Sequence, residues 1–317
     1  MLIINGIFYL NFFVFGIFAA LLSTEIMGAV VLVFWWNKYR KPVLEYIVPI
    51  WEITGTFAAF WVVLSDFAFP AIIYPLASLY AAAIMVFLIL FVARNASIAF
   101  GEYITKRGWL DERKLYTCYA IATLLIGVVV LYILSGIIGG YGVSLSDLNV
   151  SLVTWLSHPA DILFIIGTVI ILLGLAPVFF GVKELAGMSM LFTSVGVVIS
   201  VITVYLFEGS GISPMVIIPT ILTLAPAILF RYGRLIKFLT NKLFFIAWLS
   251  VDLFFLNFMV YPRAFGQSLA VNSLTTSGPM VNAYFIITMI GGIILAVLIA
   301  LFSIAVSRKR RMQNTSS

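Results

Sequence analysis

The sequence predicts an all-α, polytopic membrane bundle of about nine transmembrane helices, with the N-terminus outside and the C-terminus cytoplasmic. Composition is the first reason. Of 317 residues, 63% are hydrophobic and only 9% charged, and the mean hydropathy is +1.19. A soluble domain is roughly half apolar and a quarter charged. Run length is the second: the apolar residues fall in unbroken stretches of about 20 rather than alternating strands, and in a water-free medium such stretches satisfy their own backbone hydrogen bonds as helices. Charge segregation is the third, because the cations gather at the ends of alternate runs.

The runs place spans at residues 7–36, 43–66, 70–93, 115–138, 160–181, 187–207, 214–231, 241–262 and 281–307. No Lys or Arg precedes Lys38, so the first run lacks the charged start of a cleaved signal and is expected to stay as a helix. The seventh carries Pro219 and Pro226 and is expected to kink or break. One set of connections holds Lys38, Arg40, Lys41, Arg94, Lys106, Arg107, Arg113, Lys114, Lys183, Arg231, Arg234, Lys237 and Lys242, and the tail adds Arg308 to Arg311. The other set holds Arg263 alone. Short basic loops stay cytoplasmic, which sets the orientation in a multi-pass protein of the plasma membrane.

The longest connections, 94–114, 139–159 and 263–280, are too short for a soluble domain. The chain is read as one membrane domain, with a first bundle over 1–138, a second over 139–307 and a basic tail over 308–317 suited to anionic lipid. The +6 charge is not gathered into a groove-sized patch, so no nucleic-acid partner is expected. Of three N-x-S/T sequons, at Asn95, Asn149 and Asn314, the topology exposes only Asn149 outside.

One cysteine, Cys118, excludes an intrachain disulfide and any Cys-rich metal site. One histidine, His158, excludes a bis-histidine haem and a His-cluster copper site. A His/Met pair is formally open with 10 Met, but no metal or cofactor is expected in this chain, and if the protein works in redox chemistry another subunit is expected to carry the metal. Most of the 49 aromatic residues, 7 Trp, 14 Tyr and 28 Phe, are read as lipid-facing bulk and interfacial belt, with Trp35, Trp36 and Trp109 at the inner interface.

Ionisable groups within a span cost several kcal/mol unless paired or hydrated. Glu25, Glu45, Glu52 and Asp252 are therefore the candidate site residues, as members of a proton pathway. Glu25 lies 12 residues before the first cytoplasmic loop, Glu52 about 10 past its end and Asp252 10 past Lys242. A rise of ~1.5 Å per residue puts all three roughly 15–18 Å from the inner surface, where carboxyls on separate helices can converge. Glu45 and Glu52, seven residues apart, share a helix face and suggest an inward ladder. The plainer alternative is that each carboxyl bonds a neighbouring helix, at about 0.6 kcal/mol per bond. Asp66, Asp161 and Glu208 fall at outer ends, and Asp161, just after Pro159, is expected to cap a helix N-terminus.

The stretch Pro49-Ile50-Trp51-Glu52-Ile53-Thr54-Gly55-Thr56-Phe57, with Pro70 nineteen residues after Trp51 and Arg94 twenty-four after Pro70, resembles subunit II of cytochrome bd-type quinol oxidases. Thr24-Glu25-Ile26-Met27-Gly28 resembles the acidic, glycine-containing segment of that family's first helix. The resemblance covers roughly residues 15–105. It implies a respiratory-chain subunit that binds no haem itself, packs against a haem-bearing membrane subunit and supplies carboxylates for proton delivery, with a quinone as possible ligand of the complex. Glu52 takes the place of the family's acid after tryptophan, and Glu25 that of its first-helix acid. The family's subunit II usually has eight spans, against nine counted here. The hydrophobic companion chain of the archaeal cytochrome b558/566 is a related alternative.

A rival of another class is a proton- or cation-coupled secondary transporter, which would use a broken helix around a midplane site. Gly209, Gly211, Pro214, Pro219 and Pro226 offer one interrupted segment.

Overall fold

The computed structural model describes residues 2–103, 111–208, 216–260, 263–268 and 278–315. They form an all-helical, multi-pass membrane bundle. Among the described residues, seven helical stretches are long and apolar enough to cross a membrane: Gly6–Phe34, Trp36–Ala68, Ala81–Tyr103, Glu112–Gly139, Pro159–Phe180, Lys183–Phe207 and Pro279–Leu298.

Helix α1 (Leu2–Phe34) is apolar on every side, as a helix surrounded by protein must be. It is the most enclosed of the seven stretches and packs against α2 (Trp36–Ala68), α5 (Glu112–Gly139), α7 (Pro159–Phe180), α11 (Lys242–Val260) and α12 (Gly278–Thr315). The expected first loop is absent. The chain reverses at Trp35 alone, so Lys38, Arg40 and Lys41 lie in the opening turns of α2.

The expected third span, 70–93, is split. Pro70 occupies the first turn of α3 (Pro70–Leu79), where its missing N–H costs nothing. The chain then breaks at Tyr80 before α4 (Ala81–Tyr103). Arg94, expected in a cytoplasmic loop, is thereby drawn into the middle of α4.

The connection after α5 carries a short hairpin, β1 (Val143–Ser144) against β2 (Asn149–Val150), and a six-residue helix α6 (Leu152–Ser157). Helices α7 and α8 (Ala186–Glu208) approach closely through small residues: a Cβ on Gly196 would stand 2.8 Å from the Gly167 carbonyl oxygen. A second hairpin, β3 (Arg263–Ala264) against β4 (Gln267–Ser268), lies over the end of α5, where Phe265 N–H donates to the Ile137 carbonyl at 2.5 Å.

Helix α9 (Ile217–Arg231) has 15 residues, about 22 Å by its rise, short of the ~30 Å hydrocarbon core. Residues 209–215, including Gly209, Gly211 and Pro214, lie outside the described residues, as do Lys106, Arg107 and Trp109. Pro226 leaves the Leu222 carbonyl without its helical donor, and Trp248 Nε1 of α11 donates to that oxygen at 2.8 Å. A four-residue helix, α10 (Ile236–Leu239), links α9 to α11. The basic tail continues α12 as helix through Arg308 to Arg311.

Candidate functional site

Among the described residues, two buried polar sites contain the candidate acids Glu25 and Asp252. The first joins α1, α4 and α5. Glu25, 0% exposed, and Arg94, 2% exposed, form an ion pair in which Arg94 donates to Glu25 Oε2. Tyr119 donates its hydroxyl to the same oxygen at 2.8 Å, and Arg94 also reaches Asn95 Oδ1 at 2.9 Å. The guanidinium lies over the rings of Phe91 and Tyr119, which adds cation–π attraction in a medium that screens it little. Beside Glu25, Thr24 Oγ1 and Tyr46 OH share a hydrogen bond of 2.5 Å from α1 to α2. Buried in such a place, either charge alone would be costly; together they neutralise one another.

The second site is a cavity of about 450 Å³ lined by α1, α2, α3, α5, α7, α8, α9 and α11. Phe8, Phe15, Phe18, Trp61, Phe164 and Phe207 give its wall an aromatic, apolar character. Polar groups on the wall are mostly engaged: Asn11 donates to Ser65 Oγ at 2.9 Å, Trp61 Nε1 to Asn11 Oδ1 at 3.2 Å, and Asn257 to the Leu253 carbonyl at 2.7 Å. Asp252 differs. Its Oδ2 accepts from Thr223 Oγ1 at 2.7 Å across α9 and α11, while its buried Oδ1 has no partner among the described residues. The cavity is thus a mostly apolar volume with one carboxyl, Asp252, among its lining residues.

The expected convergence of Glu25, Glu52 and Asp252 does not occur. Gly16 of α1 faces the Ser250 carbonyl and Phe254, so Asp252 sits level with Gly16, nine residues or about 13 Å along α1 from Glu25. Glu52 is exposed on the outer side of α2, away from the buried row of Tyr46, Ile47, Ile50, Thr54 and Phe57. Glu45 is half-buried on the same side as Glu52, as their seven-residue spacing requires. The inward ladder from Glu45 through Glu52 to Glu25 is therefore interrupted: Tyr46, next to Glu45, is the residue that points inward toward Thr24 and Glu25. Trp51 is half-buried and Pro70 exposed.

Asp161 does not cap α7. The cap is His158, whose Nδ1 accepts the Ala160 N–H at 3.3 Å while its ring stacks on Tyr141 at 3.4 Å. Arg94 as the partner of Glu25 was missed because a cation at the end of an apolar run reads as a loop residue. The signal was present: Ala96, Ile98, Ala99 and Phe100 continue the apolar run beyond it.

No family model matches the chain, and no curated protein does. Among solved structures it is similar to the bd oxidase from Geobacillus thermodenitrificans, with a TM-score of 0.73 and 17% identity, over 95% of this chain and 97% of that one. The likeness is one of fold and extends well beyond residues 15–105, through the second half of the chain.

Proposed function

We propose that this chain, folded like a bd oxidase chain along nearly its whole length, is an integral membrane subunit of a respiratory cytochrome complex. In this reading it is the haem-free companion, like subunit II, of a haem-bearing subunit in the plasma membrane, with its N-terminus outside. The observation that carries the reading is the fold likeness over 95% of the chain, joined to the motif around Trp51 and Glu52. The ligand inventory supports the haem-free role: His158 is already engaged at its Nδ1 as a helix cap. Exposure of Glu52 within a membrane helix supports a partner on that side of α2, since a charged group facing lipid is costly. Protons moving along Glu45 and Glu52 would then follow the boundary between subunits rather than the interior of this one. A quinone fits the cavity, with its ring among the aromatic side chains and Asp252 at its polar end.

The companion of an archaeal cytochrome b558/566 is a variant of the same reading. The cavity and Asp252 also favour a second reading, a proton- or cation-coupled transporter, because a midplane carboxyl beside an apolar cavity is what such proteins use. Purification in mild detergent separates the two. Copurification with haem b absorbance and a second membrane polypeptide is the expected result. A chain that runs alone and exchanges a solute in liposomes overturns the respiratory reading.

A further inference from the structure

The connection between α9 and α11 lies apart from both sites above and does not depend on the respiratory reading. Helix α9 ends at Arg231 in a turn closed by two backbone hydrogen bonds, from Gly233 N–H to the Phe230 carbonyl at 3.1 Å and from Arg234 N–H to the Leu229 carbonyl at 2.8 Å. Gly233 has φ 69°, in the left-handed region that glycine enters freely. Leu235 repeats that conformation at φ 53° without glycine's freedom. Both flanks are anchored. Phe230 before the turn and Leu239 after it are each 3% exposed and belong to the main apolar core. Asn241 then caps α11, its Oδ1 accepting the Leu243 and Phe244 N–H groups at 3.1 and 3.2 Å.

This firmly held turn presents cations and large apolar groups together. Arg231, Arg234 and Lys237 are exposed, and among the described residues no carboxylate forms an ion pair with any of them. Interleaved with them are Tyr232, 70% exposed, and Leu235 and Phe238, 55% each. The strain at Leu235 is therefore not offset by burying its side chain within this chain. Such a mixture suits the headgroup layer of a bilayer, where aromatic rings and leucine lie against acyl chains while cations meet phosphate. The position agrees. Lys242, which follows the connection, donates to the Phe179 carbonyl at the end of α7, and Lys38 of α2 pairs with Glu184 just beyond α7 at 2.9 Å. The turn thus shares its end of the bundle with Lys38 and Lys183, the cation-rich end that faces an anionic leaflet.

We propose that residues 231–238 form a binding site for an anionic phospholipid, with Arg231, Arg234 and Lys237 on its phosphate and Tyr232, Leu235 and Phe238 against its acyl chains. A free phosphate ion would use the three cations alone. The exposed apolar side chains between them commit the site to a lipid. It is separate from the tail, where Arg308 to Arg311 continue a helix.

Native mass spectrometry of the full chain, with any partner that accompanies it, tests this after release from nanodiscs of equal phosphatidylglycerol and phosphatidylcholine. The wild-type chain should retain phosphatidylglycerol at least about tenfold over phosphatidylcholine, as three cations at an anionic headgroup allow. The triple variant Arg231→Gln, Arg234→Gln, Lys237→Gln should bring that ratio close to one, whereas Lys41→Gln with Lys183→Gln, at the same end of the bundle, should leave it unchanged. Equal retention of the two lipids by the wild type overturns the proposal, and so does a preference that survives in the triple variant or falls as far in the Lys41 and Lys183 pair. Displacement of the lipid by excess inorganic phosphate overturns it in favour of a free-phosphate site. Should the triple variant fail to fold, Leu235→Gly decides the matter. Glycine suits that turn, and loss of the apolar side chain should lower phosphatidylglycerol retention severalfold, so unchanged retention overturns the proposal.

Discussion

Arg94 of α4 and Glu25 of α1, 69 positions apart in the chain, close an ion pair from which water is excluded, and Tyr119 of α5 bonds the same carboxylate oxygen. Three helices meet on one oxygen atom. An arginine that composition assigns to the membrane surface is instead the counter-charge of the most deeply enclosed acid on α1.

Removing one member leaves the other charged and unpaired. Arg94→Leu and Glu25→Leu should each destabilise the bundle by about 3–5 kcal/mol, whereas the double variant carrying both should recover much of that loss. Thermal unfolding of the three variants in detergent measures it, and additive losses would deny the coupling.

Glu52 lies outside this network, on the exposed side of α2. Glu52→Gln should leave haem b copurification intact and slow oxygen reduction by about tenfold or more, as loss of a proton-transferring group does. Unchanged oxygen uptake and charge translocation would remove Glu52 from any proton path.

Trp248 supplies the donor that Pro226 cannot, at the Leu222 carbonyl. Trp248→Phe should cost about 1–3 kcal/mol by leaving that buried oxygen unpaired. Tm readings of Trp248→Phe and Trp248→Leu should agree if the hydrogen bond matters more than the ring's bulk.

Asp252 is the polar end of the cavity, and Trp61 is part of its wall. Decylubiquinone should quench Trp61 fluorescence, with Trp61→Phe as the control. Asp252→Leu, which removes the carboxyl without opening space, should hold Tm level or raise it while weakening the quenching at least tenfold. Equal quenching in Asp252→Leu would show that the carboxyl plays no part in binding.

The class of fold was legible because water-free surroundings leave a chain few options: the apolar runs become helices wherever they stand, and the run from Glu112 to Gly139 lies within a few residues of its expected place. The breaks were less so. Trp35 reverses the chain in one residue, and Tyr80 interrupts a run with no proline or glycine beside it, both set by packing against other helices rather than by local propensity. In the first site, Glu25 was recognisable as an acid in an apolar run. Its partners were not, because Arg94 and Tyr119 come to it only through the way α4 and α5 stand against α1. Asp252 was likewise visible, but its separation from Glu25 was not, since the register of α11 against Gly16 of α1 is a tertiary fact.

Helix α1 is the hub against which α2, α5, α7, α11 and α12 all rest. Synthesised ahead of all five, it must wait in the bilayer until the last two of them have been made, more than 200 residues later. Until α4 arrives its glutamate has no counter-charge, and until α11 and α12 arrive much of its flank has no cover. Assembly of this chain is consequently a problem of timing, set by contacts between α1 and helices far along the sequence.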